Sequence, residues 1–503
     1  MSSQLAALII IAPLLAAVGV NVAGWINKRL CFPTALAALL VSLSAAVLLM
    51  RQVMAADTRI YRMAGWDPPW GIAFYVDALN GGILILIALV AVINLMATRQ
   101  DAAGFFEKRL GPFYALYLLF VTGLMGIVIT GDLFNLYVLL EIASLTGYAL
   151  IGMGGARSRI SSLHYVFMGT IGASLYLLGV GYLYMATGSL NMMDLAALLP
   201  GLENMFLVKV SFLLCLVGLF IKMAFFPLHA WLPNAYSHAA SPSASLIAPL
   251  TTKVMLYVVV RLVITVYRPD FAFSQLPIAD LIVWLAVAAI IAGCILAYKQ
   301  TRLKRMLAYI IVIEVGYMVG GFWLANAAGV TGALLHLFND AVMTLCVFLA
   351  AGAIFYRYQS DSLLHLQGLF QKMPATMTAF VVAALSIIGV PPTCGFFSKW
   401  YLLSGGMAAG HYGFVAALIL SSLVNVLLFF RVIEIAYFEP EDHGSDFEGS
   451  GHVQAAVIRE APADTVLPLL ATAGIVIAMG FFVHTLVGWF IEPAIAPFFP
   501  GGL

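Results

Sequence analysis

Apolar runs about twenty residues long, separated by short polar or basic stretches, fill the chain from LAALIIIAPLLAAVGVNVAG near its start to TVLPLLATAGIVIAMGFF near its end. A helix rising about 1.5 Å per residue needs roughly 20 such residues to cross a hydrocarbon layer about 30 Å thick. On that measure the pattern predicts fourteen membrane spans, beginning near residues 4, 30, 77, 112, 132, 162, 206, 240, 277, 305, 329, 375, 411 and 465. The first run lacks the basic start and short core of a cleaved signal peptide, and reads as a span. The only long polar stretch, FEPEDHGSDFEGSGHVQAAVIREAPADT, lies between the last two spans.

Two of the runs are broken. GLFIKMAFFPLHAWLP places Pro227 and Pro233 after Lys222, and LSIIGVPPTCGFFSKWYLL places Pro391 and Pro392 before Lys399. Proline removes a backbone donor and breaks a helix, which a membrane tolerates where the freed carbonyls face protein or a wet cavity. Broken segments at matching places in two halves are the mark of internal repeats in transporters. The expected fold is therefore an all-α integral membrane protein with two inverted five-helix repeats, spans four to eight and nine to thirteen. The expected divisions are 1–111, 112–268, 269–437 and 438–503. This pairing matches Lys222 with Lys399 and Glu141 with Glu314.

Composition sharpens the picture. Only 9% of the residues are charged and 63% are hydrophobic, against about 25% charged in a soluble domain. A chain this poor in charge is an integral membrane protein with the lipid bilayer as its surroundings. A net charge of +1 gives no case for a nucleic-acid partner. The five cysteines are far apart, with no metal-ligand or redox spacing, and no Gly-rich phosphate loop or nucleophile triad is present, so no cofactor is expected in this chain. Of the 24 basic residues, fifteen fall in loops after odd-numbered spans and five (Arg51, Arg59, Arg62, Lys209, Arg268) after even-numbered ones. That bias puts the odd loops in the cytoplasm and both termini on the opposite side of the cell membrane.

The other four basic residues, Lys222, Lys253, Arg261 and Lys399, lie inside spans. A charge at mid-bilayer costs at least about 2.5–3.5 kcal/mol, so such residues usually have a task. Glu141, nine residues into the fifth span, offers Lys222 a counter-charge, and a coupled acid–lysine pair acts as a switch as well as a relay. Lysine suits proton hopping because burial readily perturbs it, whereas Arg261 cannot deprotonate and reads as a fixed charge or anchor. His238, beside the Pro242 break, is either a relay or a structural hydrogen-bonding group. His336 and Asp340 stand one helical turn apart on one face. Such a pair could orient the ring, hold it positively charged, or bind a cation with other ligands. Glu141, Lys222, Lys253, His336 and Lys399 thus suggest a string of titratable groups near the midplane, a proton path lying along the membrane.

The stretches DLFNLYVLLEIASLTGYALI, KMAFFPLHAWLPNAYSHAASPSASLIAPLTTKVMLYVVVR, LKRMLAY, HLFNDAVMTLCVFLAAG and GVPPTCGFFSKW resemble the antiporter-like family shared by the large subunits of Mrp cation/proton antiporters, complex I and membrane-bound hydrogenases. Within it the chain looks most like the D-type subunits of Mrp antiporters. The resemblance implies that Glu141 and Lys222 form a coupling ion pair, Lys253 and His336 continue the axis, and Lys399 is its terminal site. It implies other membrane subunits as partners, and protons with sodium or another monovalent cation as cargo. A redox-driven pump, or a membrane component for inorganic-carbon uptake, is the alternative on the same fold. Asp340 and Thr344 depart from the family pattern, and RLKR stands for its DLKR-like motif.

Overall fold

A computed structural model describes residues 4–56, 58–438 and 460–499; most of the polar stretch after the thirteenth predicted span lies outside these. The described residues are nearly all helical. The long helices are α1 (Leu5–Ile26), α2 (Cys31–Ala56), α3 (Ala78–Ala97), α4 (Leu110–Ile129), α5 (Leu133–Gly152) and α6 (Ala156–Thr187). They continue with α7 (Phe206–Lys222), α8 (Trp231–His238), α9 (Ser241–Arg261), α10 (Ala279–Tyr298), α11 (Leu303–Trp323) and α12 (Ala327–Tyr358). The series closes with α13 (Pro374–Ile388), α14 (Cys394–Ala408), α15 (Tyr412–Phe438) and α16 (Ala463–Phe481). Strands β1 (Arg59–Arg62) and β2 (Ala73–Val76) pair antiparallel as a hairpin between α2 and α3. Among the described residues twelve helices are long and apolar enough to cross a membrane, and the chain is a multi-pass membrane protein. The other four, α7 with α8 and α13 with α14, are the two broken runs.

Polar residues set the helix starts. Asp77 caps α3 in a reciprocal box with Asn80, Asp132 caps α5 through the Asn135 amide, and Asn326 caps α12 through the Gly329 amide. Burial then sorts the helices into two classes. The apolar window of α12 is buried throughout, and those of α9 and α11 nearly so, whereas α1, α2, α6, α15 and α16 expose most of theirs to the surroundings. Helix α12 packs on α9, α11, α13, α14 and α16. Lipid tails are as apolar as these side chains, so close packing and polar contacts hold the helices together. Helix α6 lies close on α7: a Cβ added at Gly218 would lie 2.5 Å from the Gly172 carbonyl oxygen.

Both breaks re-satisfy their freed carbonyls, as a low-dielectric setting demands. After α7 the Trp231 indole donates to the Ile221 carbonyl at 3.1 Å. After α13, whose C-cap Gly389 takes φ 95°, the Lys399 ammonium donates to the Ile387 and Ile388 carbonyls at 2.7 and 3.3 Å.

Candidate functional site

Glu141 stands mid-way along α5 and Lys222 is the last residue of α7. The lysine Nζ donates to Glu141 Oε1 at 3.2 Å, to Ser144 Oγ at 2.8 Å and to the Tyr148 hydroxyl at 3.4 Å. Ser144 and Tyr148 lie three and seven residues past Glu141, so one face of α5 cradles the cation. The pair is asymmetric: the Lys222 side chain is 4% exposed and the Glu141 side chain 25%.

The second cluster joins four helices. Lys253 Nζ of α9 lies 2.7 Å from Asp340 Oδ2 of α12, both side chains fully enclosed, and Thr344 Oγ1 donates to the other Asp340 oxygen at 2.7 Å. One turn back on α12, His336 Nε2 bonds Glu314 Oε2 of α11, and its Nδ1 meets Ser398 Oγ of α14 at 2.8 Å. The sequence pairs His336 with Asp340 by spacing; in the structure each takes its partner from a different neighbouring helix instead. Sharing a helix face fixes direction, whereas contact depends on what the next helix presents.

Lys399 follows Ser398 on α14. Besides the two α13 carbonyls it donates to Ser422 Oγ at 3.1 Å, and it sits 5.0 Å from the Tyr317 ring centre. Its stabilisation thus comes from a helix C-terminus, where the backbone dipoles present partial negative charge. Glu314, which the internal comparison matches to Glu141, hydrogen-bonds His336 rather than Lys399. A cavity of about 320 Å³ leads from Lys399 past Trp400 and Ile419 towards the outer surface.

Lys253, Asp340, His336, Ser398 and Lys399 therefore follow one another through side-chain contacts, one helical turn or a peptide link. The Lys222–Glu141 pair sits apart on α5 and α7. His238, at the end of α8, lies away from these ion pairs: its Nδ1 meets Ser161 Oγ at 2.8 Å, beside the basic cluster of Arg157, Arg302 and Arg305.

Two polar groups, Lys304 and Asp77, are inconspicuous in the sequence. Lys304, expected in a loop, is buried at the start of α11; it donates to Ser241 Oγ at 2.7 Å and lies over the Phe355 ring. Nearby Asp101 is pushed up to about 6, burial outweighing the pull of the Lys304 charge. At the opposite end, Arg261 Nη1 bonds Asp77 Oδ2 at 2.7 Å, so Arg261 is a fixed charge with an acidic partner.

Two unit charges about 4 Å apart interact by roughly 4 kcal/mol at an effective dielectric of 20. A proton gained or lost at one member of such a cluster is therefore felt by the next. The arrangement can store protons and pass changes of charge along the row. Among the described residues, no group of three or more His, Cys, Asp or Glu side chains gathers to hold a metal ion.

Residues 130–424 match the family described as NADH:quinone oxidoreductase/Mrp antiporter, transmembrane. The chain is 42% identical to the N-type subunit of the NADH-quinone oxidoreductase of Desulforudis audaxviator over 98% of its own length and 99% of that protein's. It is 30% identical to the D-type subunit of the Na(+)/H(+) antiporter of Bacillus subtilis over 82% of each. Its fold is that of a chain in the Mrp complex of Dietzia sp. DQ12-45-1b, with a TM-score of 0.88 at 24% identity over 99% of this chain and 98% of that one.

Proposed function

We propose that this chain, which belongs to the NADH:quinone oxidoreductase/Mrp antiporter transmembrane family, is the proton-translocating subunit of a multi-subunit, Mrp-type antiporter of the cell membrane that exchanges sodium or another monovalent cation for protons. The observation that carries the reading is the set of buried pairs Lys222–Glu141, Lys253–Asp340 and His336–Glu314, ending on Lys399. So many ionisable groups kept away from water, against their desolvation, serve proton movement better than they serve stability. In this reading the two broken runs count as one crossing each, giving fourteen crossings, with spans four to eight and nine to thirteen as inverted repeats. The divisions at residues 111, 268 and 437 follow from it.

Lys222–Glu141 acts as the coupling switch. Separating the pair leaves the lysine uncompensated, so that it yields its proton more readily; re-forming it recharges the lysine. Lys253, Asp340, Glu314 and His336 carry the change across the chain, and Lys399, held by carbonyls instead of an acid, is the terminal site. Partner membrane subunits supply the cation route and cover the chain's flanks.

Transport by the intact complex in inverted vesicles, with a pH-sensitive dye and an imposed proton gradient, tests this. Adding sodium should produce proton movement that Lys222→Ala and Glu141→Ala abolish while assembly persists. Normal transport in either variant would remove the coupling pair from the mechanism. The 42% identity to a quinone oxidoreductase component favours a second reading, the same path driven by electron transfer on other chains. Proton pumping on adding a reductant, with no response to sodium or potassium, would select it.

A further inference from the structure

Helix α9 is buried from Ser241 to Val260, and a row at four-residue spacing runs along it: Lys253, Tyr257 and Arg261. Lys253 opens onto Asp340 at mid-helix. One turn on, the Tyr257 hydroxyl donates to the Val128 carbonyl at 2.9 Å and accepts from Arg261 Nε at 3.0 Å. Beyond it, Arg261 Nη1 reaches Asp77 Oδ2 at 2.7 Å and Thr265 Oγ1 at 3.2 Å.

Past this point the protein opens. A cavity of about 930 Å³ is lined by Asp77, Thr130, Tyr257, Arg261, Thr265 and Arg268, with Met193 and Trp489 on its apolar wall. One water takes roughly 30 Å³ of liquid volume, so this space accommodates a sizeable water cluster. It lies on the side of the chain that also bears the β1–β2 hairpin residue Ile60 and the C-terminal Phe498. Tyr257, one helical turn from Lys253, lines this space together with the Arg261–Asp77 pair.

We infer that this cavity is the mouth of a second proton path, running from Lys253–Asp340 past Tyr257 to the face bearing the hairpin, and that Arg261–Asp77 is its lock. Arginine does not deprotonate, so the pair is not itself a relay; it closes the mouth by holding Tyr257 and α3 together. Asp77 fits this role because its carboxylate has two jobs, one oxygen capping α3 through the Asn80 amide and the other holding Arg261. The path meets the midplane row at Lys253, which would give this chain a transmembrane outlet in its first half, distinct from the one ending at Lys399. The inference rests on the proton-translocation reading above.

The lock and the cap can be separated. Asparagine caps a helix as well as aspartate does, so Asp77→Asn keeps the start of α3 and removes only the ion pair. In vesicles holding the intact complex, Asp77→Asn should raise passive proton leak several-fold in the absence of sodium, with assembly unchanged. Thr265, which also lines the cavity and is only part-buried, supplies the second measurement. As Thr265→Cys it should react with a membrane-impermeant thiol reagent from the hairpin-bearing face alone, against the native cysteines as a blank. Wild-type leak in Asp77→Asn would overturn the lock, and labelling from the opposite face or from neither would overturn the mouth. Wild-type complex that moves no protons in the same vesicles would instead remove the function on which the inference rests.

Discussion

Lys253 and Asp340 are both almost wholly enclosed, at 2% and 1% exposure, so neither charge is tolerable without the other. Removing one partner of a buried ion pair costs about 3–5 kcal/mol, because it strands the remaining charge. Asp340→Ala should therefore lower the thermal midpoint of the purified complex well below that of the Lys253→Ala, Asp340→Ala double variant, and it should stop proton transport. Losses that simply add in the double variant would mean that the two side chains are not energetically coupled. The identity of the participants was legible in the sequence, since a lysine, a histidine or an acid inside an apolar run is conspicuous. Their partners were not: Lys253 and Asp340 are 87 positions apart, and no local spacing reports that contact. Lys304 was missed for the related reason that a basic residue at a span end looks like a loop residue until α9 and Ser241 are seen to cover it.

At the scale of elements, the position of Lys222 depends on how closely α7 approaches α6. Gly218 lies one turn before Lys222, and a Cβ there would sit 2.5 Å from the Gly172 oxygen and 2.9 Å from the Tyr176 amide nitrogen. Both are backbone atoms, which cannot rotate away. Gly218→Ala should cost about 1–3 kcal/mol as an overpacked contact. It should also displace Lys222 from Glu141, so that transport falls with every charged residue still present. Vesicle transport and thermal unfolding of that variant provide the check; a wild-type rate would show that this contact does not set the lysine's place. The two breaks were visible as proline-bearing interruptions. What the breaks do differs, however: the first presents Lys222 to a carboxylate, and the second supplies Lys399 with carbonyls.

Across the molecule as a whole, the bias of basic residues sets the expected orientation. The basic end carries Arg157, Arg302 and Arg305, and the opposite end carries the hairpin with its exposed Trp66. A cysteine placed by Trp66→Cys should react with an impermeant reagent in intact cells and be protected in inverted vesicles; the reverse pattern would invert the topology. The order of residues was enough to establish that the chain lives in a bilayer, where its helices run, where two of them break, and which residues bear charge inside it. These follow from local composition, because the cost of exposing backbone or charge to lipid is incurred residue by residue. It took the packed helices to establish that Asp340 belongs to Lys253, that Glu314 belongs to His336, and that Arg261 belongs to Asp77. Each pairing joins different helices, and it exists because packing brings distant faces within hydrogen-bond reach, a distance that no spacing along the chain encodes.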